Sequence, residues 1–174
     1  MVMKILITGG AGFIGSALIR HLIEQTDHEI LNYDALRYSG NLKSLESIEN
    51  SSRYNFIEGD ICDAKLLAET LKNFQPTGVM HLAAESHVDR SIDNAAPFVH
   101  TNIVGTYTLL SSCKEYLNLL NSDIKNQFTF LHVSTDEVYG DIDPSEAPCS
   151  ESHSYDPSSP YSASKASSDH LVRS

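Results

Sequence analysis

Basic residues are scarce in this 174-residue chain: 12 Lys and Arg stand against 23 Asp and Glu, for a formal net charge of −11. No Lys/Arg-rich stretch offsets that balance, which argues against a surface tracking nucleic-acid phosphates or an anionic membrane. Long apolar runs are also missing. Ile5-Leu6-Ile7 is broken at once by Thr8 and Gly9, too brief for a signal peptide's apolar region, and nothing approaches the roughly 20 residues of a membrane span. Cysteine is limited to Cys62, Cys113 and Cys149, an odd number at wide spacing. That pattern fits neither a disulfide framework nor a zinc knuckle and suits a reducing compartment. Histidine is better represented, but without H-E-x-x-H or clustered ligand spacing, so no metal is expected. His81 and His132 fall in predicted strands and read as core or rim residues. There are no internal repeats and no low-complexity tracts. A cytoplasmic, soluble single domain is the expectation, with 41% hydrophobic and 20% charged residues.

What is present is a regular alternation of short apolar runs and helical patterns. Strands are predicted at Lys4–Thr8, Glu29–Tyr33, Tyr54–Glu58, Val79–Ala83 and Phe128–Ser134. Helices are predicted at Phe13–Gln25, Ala64–Phe74, Ala96–Leu120 and from Tyr161 onward, the third with Ile103, Tyr107, Leu110 and Leu117 at helical spacing. Alternation of this kind implies an α/β fold: a doubly wound parallel sheet with right-handed crossovers and helices on both faces. Between the fifth strand and the last helix lies Gly140–Pro160, rich in Ser, Pro and Asp. A loop that long, at the carboxyl edge of such a sheet, is read as part of a site wall.

Three clusters carry chemistry. Gly9-Gly10-Ala11-Gly12-Phe13-Ile14-Gly15 joins the first strand to the first helix and satisfies G-x-G-x-x-G from Gly10. Such glycines allow a tight turn and let backbone approach a pyrophosphate at a helix N-terminus. Asp34 ends the second strand, placed to accept hydrogen bonds from ribose hydroxyls and to repel a 2′-phosphate, with Arg37 close behind it. That favours NAD over NADP. Asp60-Ile61 follows the third strand, where the acid can face an adenine or simply stabilise a turn or helix start. Second, Ser134-Thr135-Asp136-Glu137-Val138-Tyr139-Gly140 sets two adjacent carboxyls and a hydroxyl at the end of the fifth strand, either reaching a substrate or forming a solvated acidic turn. Third, Tyr161 and Lys165 lie at i and i+4 on one helix face, where an ammonium can stabilise a phenolate and bring a weak base towards working pH. Ser162 and Lys165 also fit the S-x-x-K of serine acyl-transfer enzymes, a reading the glycine fingerprint argues against.

Together these segments resemble the extended short-chain dehydrogenase/reductase superfamily, which joins a glycine-rich start to a Tyr-x-x-x-Lys pair on a Rossmann-like sheet. Residues 81–91, 101–106, 134–140 and 160–173 are similar to the dTDP-glucose 4,6-dehydratases within it, and the likeness runs over essentially the whole chain. Its most specific element is Thr135-Asp136-Glu137. Sugar-nucleotide 4-epimerases lack that acid pair, and GDP-mannose dehydratases and UDP-xylose synthases typically carry Ser in place of Asp136.

The resemblance implies NAD bound by Gly9, Gly12, Phe13, Ile14, Gly15, Asp34, Leu36, Arg37, Asp60 and Ile61. It adds Leu82, Ala83, Ala84, Ser86 and Thr101 on the cofactor side, with Tyr161 and Lys165 beside the nicotinamide. Tyr161, supported by Lys165, would take the proton of the sugar C4 hydroxyl as C4 is oxidised. Glu137 would then remove the C5 proton, and protonated Asp136 would donate to the departing C6 hydroxyl. Two neighbouring carboxyls held in opposite protonation states suit that elimination. Reduction at C6 regenerates NAD, which should stay bound. Thr135 would hydrogen-bond the C4 oxygen, and Ser86 and His87 would line the substrate side.

The resemblance also implies a homodimer through the long helix from Ala96, and a smaller substrate-binding domain beyond residues 1–174. Without that domain, the last helix's apolar face and one sheet edge are expected to be exposed. The alternatives are a dinucleotide-binding module without turnover and a dehydratase or epimerase acting on another nucleotide sugar.

Overall fold

The computed structural model describes residues 2–143, 145 and 147–174. Its strands are β1 (Lys4–Thr8), β2 (Glu29–Asp34), β3 (Tyr54–Glu58), β4 (Gly78–His81) and β5 (Thr129–His132). Its helices are α1 (Phe13–Gln25), α2 (Ala64–Phe74), α3 (Val88–Asp93), α4 (Ala96–Phe98), α5 (Thr106–Asn118), α6 (Ser122–Gln127) and α7 (Pro160–Arg173). Leu42–Leu45 and Asp136–Tyr139 form 3₁₀ turns, and Val99–Gly105 is π-helical. None of these helices is long and apolar enough to cross a membrane, among the described residues.

The chain divides into two compact units, one of Met1–Ala83 with Thr108–Val133 and one of Ala84–Tyr107 with Ser134–Ser174. The first holds the sheet, ordered β3-β2-β1-β4-β5 with every neighbouring pair parallel. Successive residues of a strand point to opposite faces, and here both faces are apolar. Leu6, Leu31, Tyr33 and Val79 pack with Leu67 and Leu71 of α2 and with Leu109, Cys113 and Tyr116 of α5. Ile5, Ile7 and Ile30 pack on the other side with Ile19 and Ile23 of α1 and with Leu45 and Ile48. Strand order reverses between β1 and β4, so the carboxyl ends Thr8 and His81, which are register partners, mark the switch point. His81 is buried there, its Nδ1 2.6 Å from the Thr8 hydroxyl.

In the second unit, α7 packs against α3, α4 and the π segment. Its start is fixed by a capping box in which Ser159 and Ser162 each serve the other's backbone amide. Ser162 is thereby committed to the helix start, which removes the acyl-transfer reading. The face α7 buries is small and polar, made of Ser162, Ser164, Lys165, Ala166, Ser168 and Asp169 with Tyr161. The expectation of an exposed apolar face on this helix is therefore corrected: Leu171 and Val172 are half-buried, and the close approach relies on serines. Among the described residues β5 pairs with β4 alone, and its Leu131 is 44% exposed.

The single helix predicted over Ala96–Leu120 is also corrected. It is interrupted by the π segment, which changes the helical phase. Tyr107 consequently turns outward at 58% exposure, while Leu109, Cys113 and Tyr116 form the buried stripe. Helices α3 and α6 lie outside the predicted set. The second buries no residue, so it has no apolar period to read. Strands β4 and β5 end at His81 and His132, short of the predicted Ala83 and Ser134. Within the loop expected to form a site wall, residues 144 and 146 lie outside the described residues. Its base is closed by Asp156 N donating to the Val138 carbonyl at 3.0 Å.

Candidate active site

The glycine loop begins where β1 stops. Gly9 takes φ +72°, and a Cβ there would lie 2.6 Å from the Ala83 amide nitrogen. A side chain at Gly15 would strike the Gly9 carbonyl and the Gly10 Cα, at 2.7 Å from the latter. Helix α1 thus packs directly on the loop's backbone. Its N-terminus, at Gly12, has no side-chain cap and no acidic residue in its first turn. The amides of Phe13, Ile14 and Gly15 are the groups such a terminus leaves for an anion. The side chains of Phe13 and Ile14 project outward, 93% and 62% exposed.

Asp34 braces this loop. One carboxylate oxygen accepts from the Ala11 amide at 2.9 Å and the other from the Leu36 amide at 2.8 Å. Leu36 itself sits at φ 48°. At the end of the neighbouring strand, Asp60 Oδ1 accepts from the Cys62 amide at 2.9 Å, and Oδ2 pairs with Arg37 Nη2 at 2.7 Å. Burial acts to raise the Asp60 carboxyl, but the Cys62 amide and the Arg37 guanidinium outweigh it and hold the group below the ordinary value. Ile61 beside it is buried. Leu82 N donates to the Thr8 carbonyl at 3.1 Å, which carries Leu82 and Ala83 past the glycine turn. These groups all belong to the first unit.

The second unit gathers the acid segment and the Tyr–Lys pair. Thr135 caps the Asp136–Tyr139 turn, its Oγ1 accepting from the Glu137 amide at 3.3 Å, and the Asp136 and Glu137 side chains are exposed. Tyr161 is 9% exposed and Lys165 4%. The phenol of Tyr161 is pushed above its ordinary value by burial, and the charges of Glu137 and Asp136 push the same way, while a hydrogen bond with Thr135 opposes them. Three of the acid-segment residues therefore act on Tyr161. The chain's own groups do not bring the phenol towards working pH, contrary to the expectation from spacing. The change falls on Lys165 instead: burial lowers it to about 8, against an opposing pull from Asp169. Ser86 and His87 are exposed, Ala84 is half-buried and Thr101 lies buried in the π segment.

Residues 6–174 match the GDP-mannose 4,6 dehydratase family. The chain belongs to that dehydratase family. Among family relatives it is 58% identical to the dTDP-glucose 4,6-dehydratase of Salmonella typhimurium, over 98% of this chain and 50% of the relative. The dTDP-glucose 4,6-dehydratase of Streptomyces venezuelae, solved with NAD, superposes with a TM-score of 0.87 at 43% identity, over 98% of this chain and 51% of that one. The enzyme from Bacillus anthracis, also solved with NAD, gives a TM-score of 0.83 at 38% identity, over 98% of this chain and 49% of that one. The chain spans about half the length of the curated relatives it matches.

Three buried residues of this dehydratase-family chain support the acid segment, the Tyr–Lys helix and the loop beside them without belonging to the motifs read as reactive. Ser91 Oγ accepts from the Tyr161 amide at 3.1 Å. Asn102 grips Glu85 through both backbone groups and donates to Ser164 Oγ at 2.9 Å, fixing the loop that carries Ser86 and His87. Asp169 Oδ2 accepts from Ser134 Oγ at 2.5 Å and from Tyr155 Oη at 2.9 Å. It thus ties the start of the acid segment and the far end of the long loop to α7. Only Asp169 left a sequence signal, four residues after Lys165 on the same helix face.

Burial of Lys165 predicts a pH effect on stability. A lysine lowered from 10.5 to about 8 is charged in both states below pH 8 and neutral in the folded state alone above it. The unfolded chain then binds more protons, so this group's penalty fades as pH rises from about 8. Half-buried Cys62 and buried Cys113, pushed up to about 11 and about 12, act in the opposite direction over the same range. The Lys165 share is therefore the difference between wild type and Lys165→Met. Urea midpoints at pH 7.5 and 9.5 should show the variant's advantage shrinking by about 1–2 kcal/mol at the higher pH. An advantage that is unchanged or larger would contradict the lowered lysine.

Proposed function

We propose that this chain carries the dinucleotide-binding and catalytic residues of an NAD-dependent dTDP-glucose 4,6-dehydratase acting in the cytoplasm. In that reading residues 1–174 are an incomplete NAD-binding domain, a further domain holds the nucleotide of the substrate, and the complete enzyme is a homodimer. The observation that carries the reading is that Thr135 hydrogen-bonds Tyr161 and the acids beside it, Asp136 and Glu137, act on the same phenol, within one compact unit.

The glycine loop fits a dinucleotide. Side chains at Gly9 or Gly15 would fill the space beside its backbone, and the α1 terminus offers uncapped amides to the pyrophosphate. Asp34, held by the Ala11 and Leu36 amides, would meet the ribose hydroxyls. Bound NAD would supply the redox chemistry, accepting a hydride from C4 and returning it to C6. Tyr161 would take the C4 hydroxyl proton, with the Lys165 ammonium nearby on the same helix face offsetting the phenolate that results. Thr135 would hold the C4 oxygen. Once C4 is a ketone, the C5 proton is acidic enough for Glu137 to remove, and Asp136 would protonate the C6 hydroxyl as it leaves. Glu137 would then return a proton to C5.

The test supplies dTDP-glucose and NAD to this chain, and in parallel to a chain extended to the relatives' full length. The 4-keto-6-deoxy product is expected from the extended chain and dinucleotide binding from both. Binding without product in the extended chain would reduce the reading to a dinucleotide-binding module. Faster turnover of UDP-, GDP- or CDP-sugars would shift it to another nucleotide-sugar dehydratase or epimerase.

A further inference from the structure

The carboxyl ends of β2 and β3 lie side by side, with Asp34 opposite Glu58 in the register and Gly59 N donating to the Asp34 carbonyl at 3.0 Å. Two groups of opposite sign follow on adjacent turns. Arg37 lies on a turn closed by Gly40 N donating to its carbonyl at 2.8 Å. Asp60 is anchored more firmly. Its carbonyl accepts from the Tyr33 hydroxyl at 3.0 Å and the Asp63 amide at 2.9 Å, and one carboxylate oxygen holds the Cys62 amide. The remaining oxygen takes the guanidinium of Arg37 at 2.7 Å. A fixed acid therefore draws a long, jointed cation towards itself and away from other anions.

The guanidinium is the side chain best suited to a phosphate dianion, through parallel N–H donors. Here it follows by three residues the aspartate placed for the adenosine ribose, as a cation selecting a 2′-phosphate would. We propose that Asp60 determines cofactor selectivity in this chain, by engaging Arg37 and withholding it from the 2′-phosphate of NADP. The inference rests on the proposed dinucleotide site and adds a second determinant to the repulsion exerted by Asp34. The pair is partly solvated, its side chains 49% and 33% exposed. Such a bridge is modest in strength, so it shifts selectivity by a measurable factor rather than absolutely.

The experiment titrates this chain with NADH and NADPH and compares wild type, Asp60→Asn and the double variant Asp60→Asn/Arg37→Ala. Asparagine keeps an acceptor for the Cys62 amide, and unchanged thermal midpoints check that the turn survives. Asp60→Asn should raise the ratio of NADPH to NADH affinity about tenfold, through release of the guanidinium together with loss of a repelling charge. The double variant should give back most of that gain. Two results overturn the inference alone: NADH bound with a ratio that Asp60→Asn leaves unchanged, or a gain that persists in full without Arg37. If wild type binds neither dinucleotide, the proposed function fails and this inference fails with it.

Discussion

Glu137→Gln and Asp136→Asn, each in a chain of the relatives' full length, should oxidise the sugar at C4 and then stop. Reduced nicotinamide absorbance would rise to about one equivalent per site while product formation falls by about 10²–10⁴. The basis is geometric. Thr135 caps the turn that carries both acids, and its own hydroxyl lies 3.4 Å from Asp136 Oδ1. Neither acid side chain takes part in the buried network around Ser134, Tyr155 and Asp169. Amide replacements therefore leave the fold intact while removing the proton acceptor or donor. Tyr161 remains to start the first step, and loss of the Glu137 charge should lower its phenol, since that carboxylate pushes it up. The oxidation step of Glu137→Gln should accordingly shift to lower pH, while that of Asp136→Asn, which removes no charge from a protonated acid, should not. Full turnover by both would remove them from the mechanism.

Gly15→Ala should abolish dinucleotide binding at concentrations that saturate the wild type, a loss of about 100-fold or more in affinity. The added methyl meets the Gly9 carbonyl and the Gly10 Cα, backbone atoms that cannot rotate away. Either α1 moves off the loop or the loop opens, and both displace the amides that would face the pyrophosphate. Overpacking of this kind costs about 1–3 kcal/mol, so a lowered thermal midpoint should accompany the lost binding. Isothermal titration with NAD beside a thermal melt separates the two. A variant that binds NAD as wild type does would show that the close approach has no part in holding it.

Much of this site was legible because its parts are contiguous. The glycine loop, the aspartate ending β2, the acid pair and the Tyr–Lys spacing each reside in a few consecutive residues. Their local geometry follows from turn and helix periods alone. The parallel sheet with helices on both faces follows in the same way, because both faces of Ile5-Leu6-Ile7 had to be covered. The π segment was not legible. Ile103, Tyr107, Leu110 and Leu117 keep a regular helical spacing in the sequence, and only the packed chain shows the phase change that turns Tyr107 out. The supporting residues were hidden for another reason. Arg37 with Asp60, Ser134 with Asp169, and Asn102 with Ser164 are separated by 23, 35 and 62 positions. No local period connects such pairs.

The sequence by itself determined the parallel α/β sheet, the chemical groups and the order in which they occur along the chain. It also determined the excess of acid that disfavours a polyanionic partner. The tertiary structure decided what state those groups are in. Spacing placed Lys165 where it could support a phenolate and put Asp169 four residues on, but packing buried the lysine and lowered it to about 8 against the pull of that acid. The same packing set Tyr161 beside two carboxylates and drew Arg37 onto Asp60. Desolvation and charge act through space and depend on everything packed around a group, whereas the helical repeat depends only on its neighbours in the chain.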